Sequence, residues 1–303
     1  MTLAAASGYG VCCDGVVSDS VNGMGLAAEL RSIAVDVAQT AAAHIRRRRP
    51  ELFGLHVTDR AASVSTKSAP TDPVTLADTE AEALIRRELA RLRPDDAILG
   101  EEEGGSVEVP GGVRWVVDPI DGTVNFLYGV PAYAVSIAAQ IDGVSVAGAV
   151  VDVAREITYH AALGDGAVCV LAGEVIGLRC NAVRELDIAL VATGFGYAAE
   201  LRRVQGKVVA ELLPRVRDIR RIGSAALDLC MVAAGQVDIH YEHGLSPWDW
   251  AAGALIAGEA GARVLTPSAQ SRSVDRAITV AAAPGVFDQF TAALQDLGAL
   301  GAL

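Results

Sequence analysis

The run Trp115-Val116-Val117-Asp118-Pro119-Ile120-Asp121-Gly122-Thr123-Val124-Asn125-Phe126 constrains this chain more than any other stretch. An apolar segment of strand character delivers one carboxylate, Asp118, and rigid Pro119 turns the backbone so that a second, Asp121, can reach the same point from the loop. Two hard oxygen donors at one point suit a shared cation. Gly122 and Thr123 then fall at the start of a helix, whose unpaired N–H groups suit a phosphate. The combination points to metal-assisted phosphate chemistry. Either Asp alone is equally an ordinary turn residue, so the reading rests on two acids coinciding with Pro, Gly and Thr. Phosphatases that form an aspartyl-phosphate set nucleophile and acid two positions apart, whereas Asp118 and Asp121 are three apart. The expected nucleophile is therefore water.

A chain of 303 residues, 51% hydrophobic and 20% charged, has ample capacity for a buried core. Its net charge of −12 argues against a general nucleic-acid binder, which needs a basic footprint. It does not argue against a phosphorylated substrate, because a bound cation supplies the local positive charge. The longest apolar region, from Ala134 to Ala154, is broken by Gln140, Asp142 and Asp152, so no membrane span and no membrane partner are expected. Cys12, Cys13, Cys169, Cys180 and Cys230 form no C-x-x-C pair and have no His at zinc spacing, which reads as reduced thiols in the cytoplasm.

Residues 1–23 read poorly as structure and lack the basic start of a signal peptide. They are expected to be a disordered leader, or to precede a true start at Met24, with residues 24–303 forming one catalytic unit of two halves, 24–185 and 186–303. Leu26, Leu30, Ile33, Val37 and Ile45 fall at helical spacing, with Pro50 closing the helix. The run Arg46 to Arg49 is expected as a solvated helix end, where cations offset the helix dipole. After a polar loop carrying Lys67, Thr75 and Asp78 fit a capping box ahead of the helical stretch Glu80 to Arg93, and capping alone would explain both. Ala97-Ile98-Leu99-Gly100 reads as a strand that delivers Glu101, Glu102 and Glu103, a concentration of like charge that suits a cation but also an ordinary acidic loop.

The middle of the chain is strand-rich: Ala134 to Gln140 and Val144 to Val153 meet across Asp142-Gly143, a hairpin signal, followed by Ile157 to Ala162 and Ala167 to Leu171. The second half alternates. Strands are expected at Leu190 to Thr193, Ile219 to Ile222, Val237 to Tyr241, Gly261 to Leu265 and Ile278 to Ala282. Helices are expected at Glu200 to Leu213, from Gly223-Ser224-Ala225-Ala226 to Ala234, at Ala251 to Glu259 and at Val286 to Leu297. Ser224 fits an N-cap, and Asp249 lies where the helix dipole favours a carboxylate. His240 and His243 flank Glu242 and can be ligands, although a carboxylate-rich site prefers Mg²⁺ to zinc and both read as ordinary histidines.

These segments, taken together, resemble the inositol monophosphatase family of Mg²⁺-dependent, lithium-sensitive phosphatases, in particular its bacterial extragenic-suppressor branch. Asp-Pro-Ile-Asp-Gly-Thr-x-Asn-Phe runs from Asp118 to Phe126, and Trp-Asp-x-Ala-Ala-Gly runs from Trp248 to Gly253. Asp72-x-Val-Thr-x-x-Asp78 and Gly100-Glu101-Glu102 stand upstream in the same order, and the likeness covers essentially everything from Met24 onward.

The resemblance implies an α+β fold layered α-β-α-β-α, with a six-stranded antiparallel sheet and a smaller five-stranded one. By position it implies that Glu101, Asp118 and the Ile120 carbonyl bind one Mg²⁺, that Asp118, Asp121 and Asp249 bind a second, and that Glu101 helps to hold a third. It further implies that Gly122 and Thr123 hold phosphate with Lys67 nearby, and that Asp78, Thr123 and Glu101 activate water. Glu242 and the turn Gly223-Ser224-Ala225 would contact the polyol. Inositol 1-phosphate is the expected substrate and a homodimer the expected assembly. Histidinol phosphate, fructose 1,6-bisphosphate, 3′-phosphoadenosine 5′-phosphate and a non-catalytic role beside the transcription machinery stay open.

Overall fold

The computed structural model describes residues 10–11, 22–53, 64–66 and 73–303; Lys67, Asp72 and most of the expected leader lie outside the described residues. The chain begins with β1 (Gly10–Val11), α1 (Asn22–Phe53), β2 (Val64–Thr66), β3 (Pro73–Thr75), α2 (Leu76–Leu92), β4 (Ala97–Gly100), β5 (Val113–Asp121) and α3 (Thr123–Tyr128). A meander follows: β6 (Ala134–Ile141), β7 (Val144–Asp152), β8 (Ile157–Ala162), β9 (Ala167–Leu171) and β10 (Glu174–Gly177). The remainder is β11 (Leu190–Thr193), α4 (Ala199–Leu212), β12 (Asp218–Arg220), α5 (Ala225–Ala233), β13 (Ile239–His243), α6 (Pro247–Glu259), β14 (Arg263–Thr266), β15 (Ile278–Ala282) and α7 (Phe287–Asp296).

The larger sheet has the order β10-β9-β8-β7-β6-β5-β4 and is antiparallel except where β4 runs parallel to β5. The second sheet has the order β1-β14-β15-β13-β11-β12, with β11 parallel to both of its neighbours. Seven and six strands replace the expected six and five. The edge strands β10 and β1 are the ones that the sequence pattern does not announce. In β10 every residue is exposed, so no alternation of apolar and polar positions marks it. The Asp142-Gly143 hairpin forms as expected, with both residues at positive φ (51° and 80°), the conformation that matches the twist of the flanking strands.

Apolar side chains alternate to the two faces of each strand, so both faces of both sheets need cover. Trp115 and Val117 of β5 face α1 and α2, packing with Leu30, Val37, Ile45, Ile85 and Leu89. Val116 points the other way, into a core where Ala226 and Leu229 of α5 and Ala252 and Ile256 of α6 also meet Ala192 and Ala281 of the second sheet. Val208 and Leu212 of α4 with Phe290 and Leu294 of α7 cover that sheet's far face at Val191, Ile239, Tyr241 and Val280. The result is the α-β-α-β-α stack.

Pro50 does not close the first helix, contrary to expectation. α1 continues for its last turn to Phe53, and this end is fastened from outside: Arg48 donates to both carboxylate oxygens of Glu80 at 2.6 and 2.8 Å, and Arg49 Nε donates to the Phe126 carbonyl at 3.2 Å. The arginine run thus ties α1 to α2 and α3 and is more than a solvated helix end.

The middle helices approach closely because two positions carry no side chain. A Cβ on Gly253 of α6 would lie 2.8 Å from Leu229 Cβ of α5, and one on Gly148 of β7 would lie 3.1 Å from Ala252 Cα. Alanine is the better helix former by about 1 kcal/mol, whereas overpacking a filled core costs about 1–3 kcal/mol. Gly253→Ala is therefore expected to destabilise by about 1 kcal/mol in urea unfolding. A stabilised variant would show that α5 and α6 are not in close contact.

Candidate active site

Regular pleating would place residues three apart on opposite faces of a strand. β5 nevertheless runs through Asp121 instead of ending at Asp118, and the conflict is resolved by a bulge: Asp118 pairs with Ser136 and Asp121 with Ala134, so the β5 side carries one residue more than its partner. The extra residue turns both carboxylates to one side. Asp249 arrives from the first turn of α6, where it forms a capping box with Ser246 and accepts from the Ser246 N–H at 2.7 Å. One oxygen from each of Asp118, Asp121 and Asp249 lies within 4.8 Å of the others.

Glu101 joins this group through a hydrogen bond with Asp118. Its position follows from a device that sequence reasoning missed. Glu82, fully buried on α2, accepts from the N–H groups of Glu102 and Glu103 at 2.7 and 3.0 Å and pairs with Arg86, which also donates to the Gly104 carbonyl at 2.7 Å. Gly100 is required there, since its Cβ would fall 2.2 Å from Glu82 Oε1. A signal was available: Asp78 and Glu82 occupy the same helical stripe as Ile85 and Leu89, and acids on a buried stripe need partners.

Asp121 is held by the start of α5, accepting from the Ser224 hydroxyl and from the Ala226 N–H at 2.7 Å. Ser224 is also the N-cap, accepting from the Leu227 N–H at 3.2 Å. The Ser224 hydroxyl, from a turn that the family resemblance places at the polyol, is engaged with Asp121. Gly122 is at φ 97°, and a Cβ there would meet the carbonyl oxygens of Ala132 at 2.9 Å and Gly223 at 3.1 Å, so two turns touch through glycine. Asn125 ties the same turns together, donating to the carbonyls of Ala132 at 2.7 Å and Ile222 at 2.9 Å.

Thr75 and Asp78 form the expected capping box. Asp78 also reaches the site, because the Thr123 hydroxyl lies 3.2 Å from Asp78 Oδ1 and 3.1 Å from the Ile120 carbonyl, with one proton to give. Glu242 stands half-buried on β13, packed so tightly on Gly194 that a Cβ there would lie 2.0 Å from its Oε2. Burial pushes the Glu242 carboxyl up to about 8, against the pull of nearby Arg221. His243 turns away from Glu242 and bonds the Ala299 carbonyl at 2.8 Å. His240 points inward, facing Asp228, a residue that the motifs did not single out although it is the only charge in α5.

Burial first, then Glu101, Asp121 and Asp249, hold the Asp118 carboxyl well above its usual range. Asp249 is raised by burial, Glu101 and Asp121. Asp121 is pushed up to about 6 by burial, with the Ser224 and Ala226 donors opposing. Asp118 Oδ1 is buried with no hydrogen-bond partner among the described residues. Converging hard oxygens, one of them unsatisfied, fit a divalent cation that prefers oxygen ligands.

This layered fold and its acidic cleft define a class of phosphatases. The sequence profile of the inositol monophosphatase family matches residues 26–298, and the chain belongs to that family. It is 55% identical over 280 residues to the inositol-1-monophosphatase SuhB of Mycobacterium tuberculosis, covering 90% of this chain and 96% of that protein. A solved structure of Mycobacterium tuberculosis SuhB superposes with a TM-score of 0.76 at 50% identity, covering 90% and 98% of the two chains. The Nus factor SuhB of Salmonella typhimurium is 40% identical over 200 residues, 65% of this chain and 73% of that protein. No described helix is long and apolar enough to cross a membrane.

Raised folded-state values mean that the metal-free protein holds these protons more tightly than the unfolded chain does. The contribution of Asp121 to stability is complete below pH about 4 and is lost as pH rises through about 6, and those of Asp118 and Asp249, raised well above the usual range, are lost at higher pH. At pH 8 with a chelator, Asp118→Asn removes one of the crowded charges and is expected to raise Tm by about 2–4 °C. The same variant should lose most of the Tm increase that Mg²⁺ gives the unaltered protein. A lower Tm in chelator would show that like-charge repulsion does not strain the site.

Proposed function

We propose that the chain is a Mg²⁺-dependent phosphomonoesterase that hydrolyses inositol 1-phosphate to myo-inositol and phosphate by direct attack of water. The observation that carries this reading is the convergence of Asp118, Asp121 and Asp249, with Asp118 Oδ1 left without a hydrogen-bond partner among the described residues, beside the hydrogen-bonded pair of Thr123 and Asp78. Glu101, Asp118 and the Ile120 carbonyl would hold one Mg²⁺; Asp118, Asp121 and Asp249 would hold a second, with Glu101 contributing to a third. Bound ions supply Lewis acidity, lowering the pKa of water and neutralising charge on the leaving oxygen.

The chain's own groups do the rest. Gly122 and Thr123 present backbone N–H groups to phosphate, with Lys67 as an added cation. The Thr123 hydroxyl donates a hydrogen bond to Asp78 Oδ1, which leaves its oxygen lone pairs to accept one from the attacking water, and Glu101 takes the water's proton as the water oxygen bonds to phosphorus. No aspartyl intermediate is required. In its ionised form Glu242 accepts from vicinal hydroxyls of the polyol and repels a second phosphate, and the turn Gly223-Ser224-Ala225 contacts the polyol beside it. That favours a polyol monophosphate over 3′-phosphoadenosine 5′-phosphate. Lithium inhibition, a homodimer and a cytoplasmic location accompany this reading.

Asp118→Asn is expected to lower turnover of inositol 1-phosphate on the order of 1,000-fold with an unchanged circular dichroism spectrum; near-normal phosphate release would refute the assignment. Specificity constants for inositol 1-phosphate, histidinol phosphate, fructose 1,6-bisphosphate and 3′-phosphoadenosine 5′-phosphate, with Mg²⁺ present, should rank the first highest. The name of the Salmonella relative favours a second reading, action as a partner of the transcription machinery. Complementation of a deletion strain by Asp118→Asn would support that role, and loss of complementation would support the enzyme.

A further inference from the structure

A second cluster of ligand-bearing side chains lies beside the acidic cleft and shares Glu242 with its wall. His240 and Glu242 are two apart on β13 and therefore share the face turned to α5. Tyr241 between them points the opposite way, its ring 5.5 Å from that of Phe290 of α7. Asp228 projects from the first turn of α5 onto the same spot, with its Oδ2 3.7 Å from His240 Nδ1. One donor atom from each of Asp228, His240 and Glu242 lies within 4.8 Å of the others.

These groups are poorly satisfied. Asp228 is 1% exposed and His240 0%, yet Asp228 Oδ1 and both ring nitrogens of His240 have no hydrogen-bond partner among the described residues. Buried polar atoms left without partners are costly, and three in one patch call for an occupant. Burial keeps the imidazole neutral, with its pKa pushed to about 3, and so leaves a nitrogen lone pair available at physiological pH. Burial, followed by the charge of Glu242, raises Asp228 well above the usual range.

We propose that Asp228, His240 and Glu242 form a second cation site, selective for a borderline transition ion of the Zn²⁺ class and distinct from the all-oxygen cluster of Asp118, Asp121 and Asp249. The donor sets separate the two. Imidazole nitrogen with carboxylate oxygen suits Zn²⁺ or Co²⁺, whereas carboxylates and a carbonyl suit Mg²⁺. Two carboxylates and a dication sum to zero charge, which removes the penalty of burying the acids. Zinc sits about 2.0–2.2 Å from such ligands, so tetrahedral donor atoms stand about 3.3 Å apart and the trio must contract by at most about 1.5 Å. Glu242 is half-buried and supplies that movement; it also marks the path by which the ion enters, and a fourth position remains for water. If Glu242 contacts the polyol, as the proposed function holds, an ion here withdraws it from substrate and the site is inhibitory.

Co²⁺ is the probe, titrated into the full-length protein with Mg²⁺ in saturating excess and followed by its visible ligand-field absorption. The expected result is a saturable band in the unaltered protein and in Asp118→Asn. The band should be lost, with affinity falling more than about 100-fold, in His240→Phe and in Asp228→Asn. Asp228→Asn keeps the side-chain volume and decides the question should His240→Phe fail to fold. Absence of the band, or equal Co²⁺ affinity in a folded His240→Phe or Asp228→Asn, overturns the proposal. In the activity arm, Zn²⁺ should raise KM for inositol 1-phosphate without lowering kcat, and should do so less in Asp228→Asn; an unchanged KM overturns the inhibitory role. A missing band alongside Mg²⁺-dependent hydrolysis sinks only this inference, whereas a band without hydrolysis sinks only the proposed function.

Discussion

Repulsion among carboxylates that the fold forces together is the constraint on which the rest of this structure depends. Asp118, Asp121 and Asp249 come from two elements that no local preference would bring into contact. Each acid is compensated to a different degree. Asp121 has a hydroxyl and a backbone N–H, Asp249 has the Ser246 N–H, and Asp118 has an oxygen with no partner among the described residues. A site left short of donors in this way is preorganised for a cation, because the cost of gathering the charges is met by folding and not at the moment of binding.

The surrounding architecture resists that repulsion. The larger sheet delivers Asp118 and Asp121, the middle helices deliver Ser224 and Asp249, and the second sheet delivers Glu242, so the cleft is a seam between layers. The layers close because glycines and alanines line the contacts, with Gly253 against Leu229 and Gly148 against Ala252. Glu82 anchors the loop of Glu101 from the opposite side of the larger sheet's edge, and Asn125 pins two turns together. None of these groups needs to touch a substrate to matter. They fix the positions of those that would.

Much of the fold was legible because it follows local rules. Apolar strand-like runs marked β6 to β9, Asp142-Gly143 marked the β6–β7 hairpin, and helical periodicity marked α1. Capping residues marked α2 and α5. The misses have two causes. β10 is a wholly exposed edge strand paired only with adjacent β9, so no apolar pattern marks it, whereas Pro50 inside α1 and the shortened β12 are decided by neighbours distant in sequence, as when Arg48 grips Glu80 just ahead of a proline that by itself predicts an end. His240 and His243 show the same limit, since only the pleat direction of β13 and the placement of α5 separate an inward ring with two orphan nitrogens from one bonded to Ala299.

The sequence by itself determined which residue types were available for chemistry and roughly where each element begins: two acids around a proline, a glycine-threonine turn, an acid at the head of α6. It could do so because spacing, caps and turns are short-range and act within a few residues. Only the tertiary structure decided that one extra residue in β5 turns Asp118 and Asp121 to the same side, that Ser224 serves Asp121, and that Glu82 carries the loop of Glu101. Those outcomes depend on register and on packing across layers, where the interacting groups lie tens of residues apart and no local pattern records the distance between them.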